Sequence, residues 1–591
     1  MTAEQGPVTS LDPAAAPAND RSLTMHEFHR ALRGQLGIML GAQSPWAALQ
    51  AWEDWAFHLV LSPGRQIELC ELATEVTVAF YLAFLDGEAL NWGLRPDSHD
   101  RRFRDPRWNR PPFSLLVQAQ LAAEAQWHAA AREMPGMARH HAKRVDSLGS
   151  FLLNALAPVN FAWTNPVVLD AAWRTAGANF ASGASLFAQD LVRLGCGKKL
   201  KGLEDFKVGE TVALTDGEVV FRNELMELIQ YAPTTPQVRE EPVLIVPAWI
   251  MKYYVLDLSP SDSLVRYLVD QGFTVFIVSW NNPGPESRDT SFDDYRSKGV
   301  MTAIDVIGRI IPGKKLHAMG YCLGGTILAI AAAAMDRDRD DRLASLSLLA
   351  AQTDFEEAGE LMLFIDENQV RLLEDVMHVQ GYLDTRQMAG AFSVFRANEM
   401  IFSQFVERYL VGEPHAPGGL DAWLADPSRM PARMHSEYLR QLFLDNGFSL
   451  GNYQVGGSAV APRDIKTPIF ALGAERDHVA PWRSVYKIKR QSSADTVFVL
   501  TGGGHNGAVV SPPGKPGAYY RVCACAASDK YVDPDTWFVS APCQQGSWWP
   551  EWVRWLDAHS SSARAAPSFL RNAERGFPGY GPAPGCYVFR T

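Results

Sequence analysis

From Val243 onward, apolar residues fall into short β-branched runs separated by stretches with helical spacing, the alternation expected of a parallel α/β sheet. "VLIVPAWI" (Val243 to Ile250) predicts a buried strand running into a proline-containing loop. A helix should follow, with Leu264, Val265, Leu268 and Val269 on one face and Gly272 placed to stop it. "FTVFIVSW" (Phe273 to Trp280) predicts the next strand. "SFDD" (Ser291 to Asp294) reads as a capping box opening a helix whose Val300, Ile304, Ile307 and Ile311 face the sheet. "KLHAMGY" is a strand ending at Cys322, with "GGTILAIAAAA" a helix directly behind it. "LASLSLLAAQ", "TPIFALGA" and "DTVFVLT" predict three further strands.

Before this region the texture differs. Residues 22–200 read as a mostly helical N-terminal domain rich in Ala, Leu and Trp, with loops at "LSPGRQ" and "RPPFS". Residues 1–21 read as a disordered lead, since no basic stretch followed by an apolar core marks a signal peptide. Residues 201–591 are expected to form a second, α/β domain, the one that would carry any catalytic machinery. The chain between Gln352 and Thr467 is far longer than a sheet crossover requires, so residues 353–440 are expected to be a cap inserted over the C-terminal edge of the sheet. The apolar runs are short or broken by charge, and no membrane span is predicted.

Composition narrows the field of partners. The chain has 591 residues and a net charge of −11, which argues against nucleic acid or an anionic membrane as partner and obliges any anionic substrate to find a local basic patch. Seven scattered cysteines do not form a disulfide framework, so a reducing cytosol is expected.

Candidate chemistry centres on "GYCLG" (Gly320 to Gly324), a Gly-x-nucleophile-x-Gly turn between a strand and a helix. With seven cysteines and 46 glycines, chance rarely yields this pattern, and still more rarely between the required elements. Such an elbow needs an acid and a histidine at the ends of later strands. "LGAERDHVAPW" supplies Asp477 and "LTGGGHNG" supplies His505, in the order the fold demands. Glu475 competes as the acid and His478 as the base; an inert buried cysteine is the bland alternative. In this scheme His505 takes the Cys322 proton, Asp477 orients the imidazole, and the backbone N–H groups of Leu323 and Trp249 form an oxyanion site. A thiolate exchanges readily with a thioester, because both sides of the exchange have similar energy. Cysteine in place of serine therefore points to acyl transfer from a thioester, most simply a CoA thioester, with no separate cofactor and no metal.

Beyond the elbow, long strings resemble one family. "DWAFHLVLSPGRQIEL", "DRRFRDPRW" and "APVNFAWTNP" in the helical half, and "VPAWIMKYYVLDLSPSDSLV", "SWNNP", "GYCLGGT", "SRMPARMHSEYLR", "DHVAPW" and "GSWWPEW" later, are similar to blocks of the full-length, single-subunit (class I-like) polyhydroxyalkanoate synthases. The resemblance implies an α/β-hydrolase catalytic domain with a mobile cap behind a helical N-terminal domain. It also implies polymerisation of (R)-3-hydroxyacyl-CoA, short-chain monomers such as 3-hydroxybutyryl-CoA for a chain of this length, and release of CoA. The growing polyester, a granule surface in the cytoplasm and a second copy of the chain would be its partners. It carries the family's nucleophile, acid and histidine onto Cys322, Asp477 and His505. Departures occur at Asn281, where the family often has arginine, after Trp423, in "RVDSLGSFLLNAL" and in "GHNGAVVSPPG". These bear on substrate range.

Two rival readings remain: a hydrolase on the same fold, and a catalytically weak granule protein. Cys523 and Cys525, at strand spacing, are expected in the core in preference to a zinc site. Trp549, Trp552, Trp555 and Leu556 should pack one helix face on the sheet, "YKIKR" (Tyr486 to Arg490) should be a solvated face, and "GCGKKLKG" a linker.

Overall fold

The computed structural model describes residues 20–86, 94–97, 100–132, 134–384, 387, 401–414, 416–569 and 580–591. The lead expected over 1–21 lies almost wholly outside the described residues, and the first helix begins at Asp20.

The N-terminal region is helical: α1 (Asp20–Met39), α2 (Pro45–Val60), α3 (Pro63–Asp86), α4 (Phe113–Ala131), α5 (Arg139–Ala155), α6 (Pro166–Arg174) and α7 (Ala178–Gly195). Caps fix their starts. Ser44 accepts from Ala47 N–H ahead of α2, and Asn165 accepts from Val167 and Val168 N–H ahead of α6. Trp52, Trp55 and Trp127 pack against one another around Ala51, Ala131 and Val145.

The catalytic region is built on a ten-stranded sheet. Its strands are β1 (Gly217–Arg222), β2 (Met226–Tyr231), β3 (Val243–Val246), β4 (Val275–Trp280), β5 (Leu316–Tyr321), β6 (Leu343–Leu349), β7 (Ile469–Ala474), β8 (Thr496–Thr501), β9 (Tyr519–Cys525) and β10 (Cys543–Gln545). In space they run β1-β2-β4-β3-β5-β6-β7-β8-β9-β10. The six central strands β3 to β8 are parallel, as the alternation predicts, but both margins are antiparallel. The sheet is therefore mixed, not purely parallel.

The margins escaped sequence reading because polar residues interrupt their apolar pattern. In β2, Glu227 is fully buried, accepting from Cys586 and Tyr587 N–H and pairing with Arg222. A buried carboxylate is tolerated when several donors meet it. β9 is a half-exposed strand, which corrects the expectation for its cysteines: Cys523 is exposed and Cys525 only partly covered. Among the described residues no cluster of His, Cys, Asp and Glu could hold a metal ion.

Helices cover both faces of the sheet. α8 (Leu264–Asp270) buries the expected four residues, and Gly272 follows at φ +80°. The capping box at Ser291 and Asp294 is present, but the helix it opens passes through a π-helical turn, Tyr295–Met301, before α9 (Thr302–Ile310). Val300, Ile304 and Ile307 are buried, whereas Ile311 lies past the end of the helix and is only partly so. α10 (Leu323–Arg337) is apolar all round and enclosed all round, which its alanines permit.

Between β6 and β7 come α11 (Glu367–Gln380), α12 (Ala432–Tyr438) and short helical turns. α1 lies against α11, where a Cβ on Gly34 would meet Asp375 O at 2.4 Å. α13 (Trp549–Ala558) buries all four residues expected on its inner face, with Trp552 Nε1 donating to Ser347 Oγ at 2.9 Å.

"YKIKR" departs from expectation. Tyr486 and Ile488 are buried, and Lys487 is drawn in to Asp354 at 3.1 Å, because the segment passes beneath the chain that leaves β6. Among the described residues no helix is long and apolar enough to cross a membrane.

Candidate active site

Cys322 follows β5 and precedes α10, with φ +54° and ψ −123°, a backbone conformation that is costly for any residue with a Cβ. Hydrogen bonds hold the turn: Cys322 N–H donates to Leu349 O at 3.0 Å, and Gly325 N–H to Cys322 O at 2.9 Å. The flanking glycines are sterically required. A Cβ on Gly324 would lie 2.0 Å from Val246 O, and one on Gly320 would lie 2.4 Å from Gly325 Cα. The turn thus lifts the thiol clear of the sheet while α10 packs tightly against β3.

Asp477 and His505 arrive on the loops after β7 and β8. His505 Nδ1 donates to Asp477 Oδ2 at 2.7 Å, and Asp477 Oδ1 accepts from Val479 and Ala480 N–H at 2.9 and 2.8 Å. Both side chains are enclosed, with Asp477 7% and His505 9% exposed. Burial opposes a charge on His505, but the Asp477 and Cys322 charges and their hydrogen bonds outweigh it and raise its pKa well above the ordinary imidazole value.

The structure therefore brings Cys322, His505 and Asp477 together in series. Glu475 is engaged elsewhere, accepting from Tyr519 OH at 2.6 Å, and the His478 carbonyl accepts from Glu360 N–H. Tyr321, not singled out from sequence, stacks on His505 with ring centroids 5.5 Å apart and donates to Asn506 Oδ1 at 2.5 Å.

Leu323 follows the thiol at the start of α10 and lines the same cavity. The Trp249 side chain is 1% exposed in a cluster with Trp280, Phe292 and Tyr295, whereas its neighbour Ile250 lines the cavity beside Cys322. The loop that carries them is clamped. Trp280 Nε1 donates to Pro247 O, Ser428 N–H to Ile250 O and Trp423 Nε1 to Lys252 O. Lys252 Nζ in turn donates to Arg590 O at 2.6 Å.

The cavity over Cys322 has a volume of about 90 Å³ and a mostly apolar wall, including Leu361, Phe364, Tyr438 and Phe443. Ala42 and Gln43, from the α1–α2 loop, also line it. Gln369 of α11 holds that loop, donating to Ala42 O at 2.6 Å and accepting from Ser44 N–H at 2.8 Å. Nothing in the sequence pattern signals this contact, which joins positions more than 300 residues apart. A thiol, an imidazole and a carboxylate in series can move a proton off sulfur and hold the resulting positive charge.

Comparison with known proteins agrees with this architecture. Residues 99–268 match the profile for the N-terminus of poly-beta-hydroxybutyrate polymerase, residues 25–65 a second N-terminal profile of that polymerase, and residues 241–512 the alpha/beta hydrolase fold. A poly(3-hydroxyalkanoate) polymerase of Methylorubrum extorquens is 38% identical over 84% of this chain and 81% of its own length. The poly(3-hydroxyalkanoate) polymerase subunit of Rhizobium meliloti is 35% identical over 85% and 81%, and that of Cupriavidus necator 34% over 86% and 86%. Helical N-terminal region, α/β-hydrolase sheet and full-length similarity together place the chain in the family of poly(3-hydroxyalkanoate) polymerases, acyltransferases that make polyester.

Proposed function

We propose that the chain polymerises (R)-3-hydroxyacyl-CoA through a thioester on Cys322, with His505 as base and Asp477 as its orienting acid. One observation carries this reading: the residue raised on the strained turn after β5 is a thiol, close enough to an imidazole held from behind by Asp477 that its charge helps raise the imidazole pKa.

The chemistry follows. The Cys322 proton passes to His505, and the thiolate attacks the thioester carbonyl carbon. The negative oxygen formed there is met by Leu323 N–H and by an N–H of the Trp249 loop; losing one such donor typically costs on the order of 10²–10³ in rate. The carbon–sulfur bond to CoA then breaks, and the departing sulfur takes the proton from His505. His505 next accepts the proton of a 3-hydroxyl, whose oxygen attacks the Cys322 thioester carbonyl. The carbon–sulfur bond to Cys322 breaks, the sulfur takes the proton back from His505, and an ester is left that lengthens the chain by one unit.

The small cavity supports short-chain monomers, and its lining by Leu361, Phe364 and Tyr438 from the chain between β6 and β7 supports a cap over Cys322. Exposed apolar side chains across the N-terminal region, among them Trp46, Phe57, Ile67, Val78, Trp163 and Trp173, support contact with a polymer granule or a second copy of the chain. A reducing cytoplasm accords with seven unpaired cysteines.

The test is to give purified protein (R)-3-hydroxybutyryl-CoA in large excess, follow CoA release and weigh the acyl product. High-mass polyester from the protein and none from Cys322→Ala is the expected result. Free hydroxybutyrate in amounts equal to CoA would make the chain a hydrolase, and undiminished polymer from the variant would remove Cys322 from the mechanism.

A further inference from the structure

His435, on α12, lines the Cys322 cavity and is 3% exposed. Its Nδ1 is buried and has no hydrogen-bond partner among the described residues. Burial drives its pKa down to about 3, so the ring is neutral at working pH and offers one N–H donor and one acceptor nitrogen. Buried ring nitrogens are normally paired, and one left open beside a candidate nucleophile calls for a partner.

The neighbourhood limits what that partner is. Leu323, Leu361, Phe364, Leu439 and Phe443 form an apolar wall that excludes the charged end of CoA and suits an acyl chain. Gln369, also on the wall, spends both ends of its amide on the α1–α2 loop. Tyr438, one turn on from His435 with ring centroids 6.0 Å apart, lines the same cavity as Cys322, so this face of α12 borders the space beside the sulfur. A short acyl group bound there brings one polar atom besides its carbonyl, the 3-hydroxyl.

We propose that His435 determines specificity by hydrogen-bonding the 3-hydroxyl of the incoming acyl group through its open ring nitrogen. The inference rests on Cys322 as the nucleophile. It explains how the site distinguishes a 3-hydroxyacyl thioester from a plain acyl thioester of equal length: only the former satisfies a nitrogen that burial otherwise leaves unpaired.

The experiment is single-turnover acylation of the full chain by (R)-3-hydroxybutyryl-CoA and, separately, by butyryl-CoA, with Cys322 occupancy read by peptide mass. For His435→Phe, acylation by the hydroxylated substrate should slow by roughly tenfold or more, while that by butyryl-CoA stays within about threefold. His435→Gln, which keeps a donor and an acceptor, should recover part of the difference. The butyryl-CoA rate serves as the internal measure of folding. An unchanged ratio between substrates, or an equal fall in both, overturns the assignment of His435 and leaves the nucleophile standing. Failure of the unaltered protein to acquire either acyl group on Cys322 overturns the nucleophile, and this inference with it.

Discussion

Asp477 is held from three directions, by two backbone N–H groups and by His505, and so cannot turn away from the imidazole. Its charge raises the His505 pKa against the opposing effect of burial. The sign of a pH effect follows. His505 keeps its proton above the ordinary imidazole range near 6.5 and loses it only as pH climbs through the raised value. Asp477→Asn removes the attraction and leaves the burial, so the proton should be lost at lower pH. The alkaline limb of the single-turnover CoA-release profile should therefore move down, with the rate lowered by roughly 10²–10⁴. A limb that stays in place would show that another group sets it. At this scale the sequence was highly legible, because strand ends and loop lengths confine the acid and the histidine to two short segments. Tyr321 and His435 were not, since stacking and an unpaired nitrogen exist only once other elements surround them.

Among the elements, the elbow and the interhelical contacts are the sensitive points. Gly324→Ala drives a methyl group into the Val246 carbonyl, a backbone atom that cannot yield without moving β3. Overpacking of this kind costs about 1–3 kcal/mol, so a fall in thermal midpoint is expected together with loss of polymer formation, even though the thiol itself is retained. Calorimetry beside the CoA-release assay would check both.

Arg144 of α5 ties three segments. It pairs with Asp366 at 2.5 Å and donates to Leu363 O at 2.8 Å and Ala47 O at 3.0 Å, nearly enclosed throughout. Arg144→Met leaves Asp366 without its charge partner, and disruption of a buried pair costs about 3–5 kcal/mol. Urea unfolding should show the N-terminal helices releasing first. A single unshifted transition would argue that the junction contributes little.

For the molecule as a whole, the N-terminal helices and the chain between β6 and β7 are interlocked. Arg408 pairs with Asp190 at 2.6 Å, and Asn179 Nδ2 donates to Leu410 O at 2.7 Å. Together with Gln369 these contacts make the helical region part of the wall around Cys322. Long-range charge acts at the same scale. A net charge of −11 repels an acyl-CoA, which is itself polyanionic, and salt screens that repulsion over a Debye length of about 10 Å at 0.1 M. KM for the CoA substrate should therefore fall as ionic strength rises from about 0.01 to 0.15 M. A KM that rises instead would reveal a local basic field strong enough to reverse the global one.

The elements of the central sheet, the elbow and the order of Cys322, Asp477 and His505 were determined by the sequence alone, because each depends on local spacing: apolar periodicity, small residues beside the nucleophile, and short loops after strands. The antiparallel margins depended on distant partners. Glu227 is tolerable in β2 because Arg222 and the distant backbone of Cys586 and Tyr587 donate to it, and Cys523 stays exposed because β9 lies near the sheet edge. The lining of the site was likewise decided by tertiary structure. Ala42, Gln369 and His435 meet around Cys322 only after α1, α11 and α12 pack together, and no local pattern encodes a contact made across hundreds of residues.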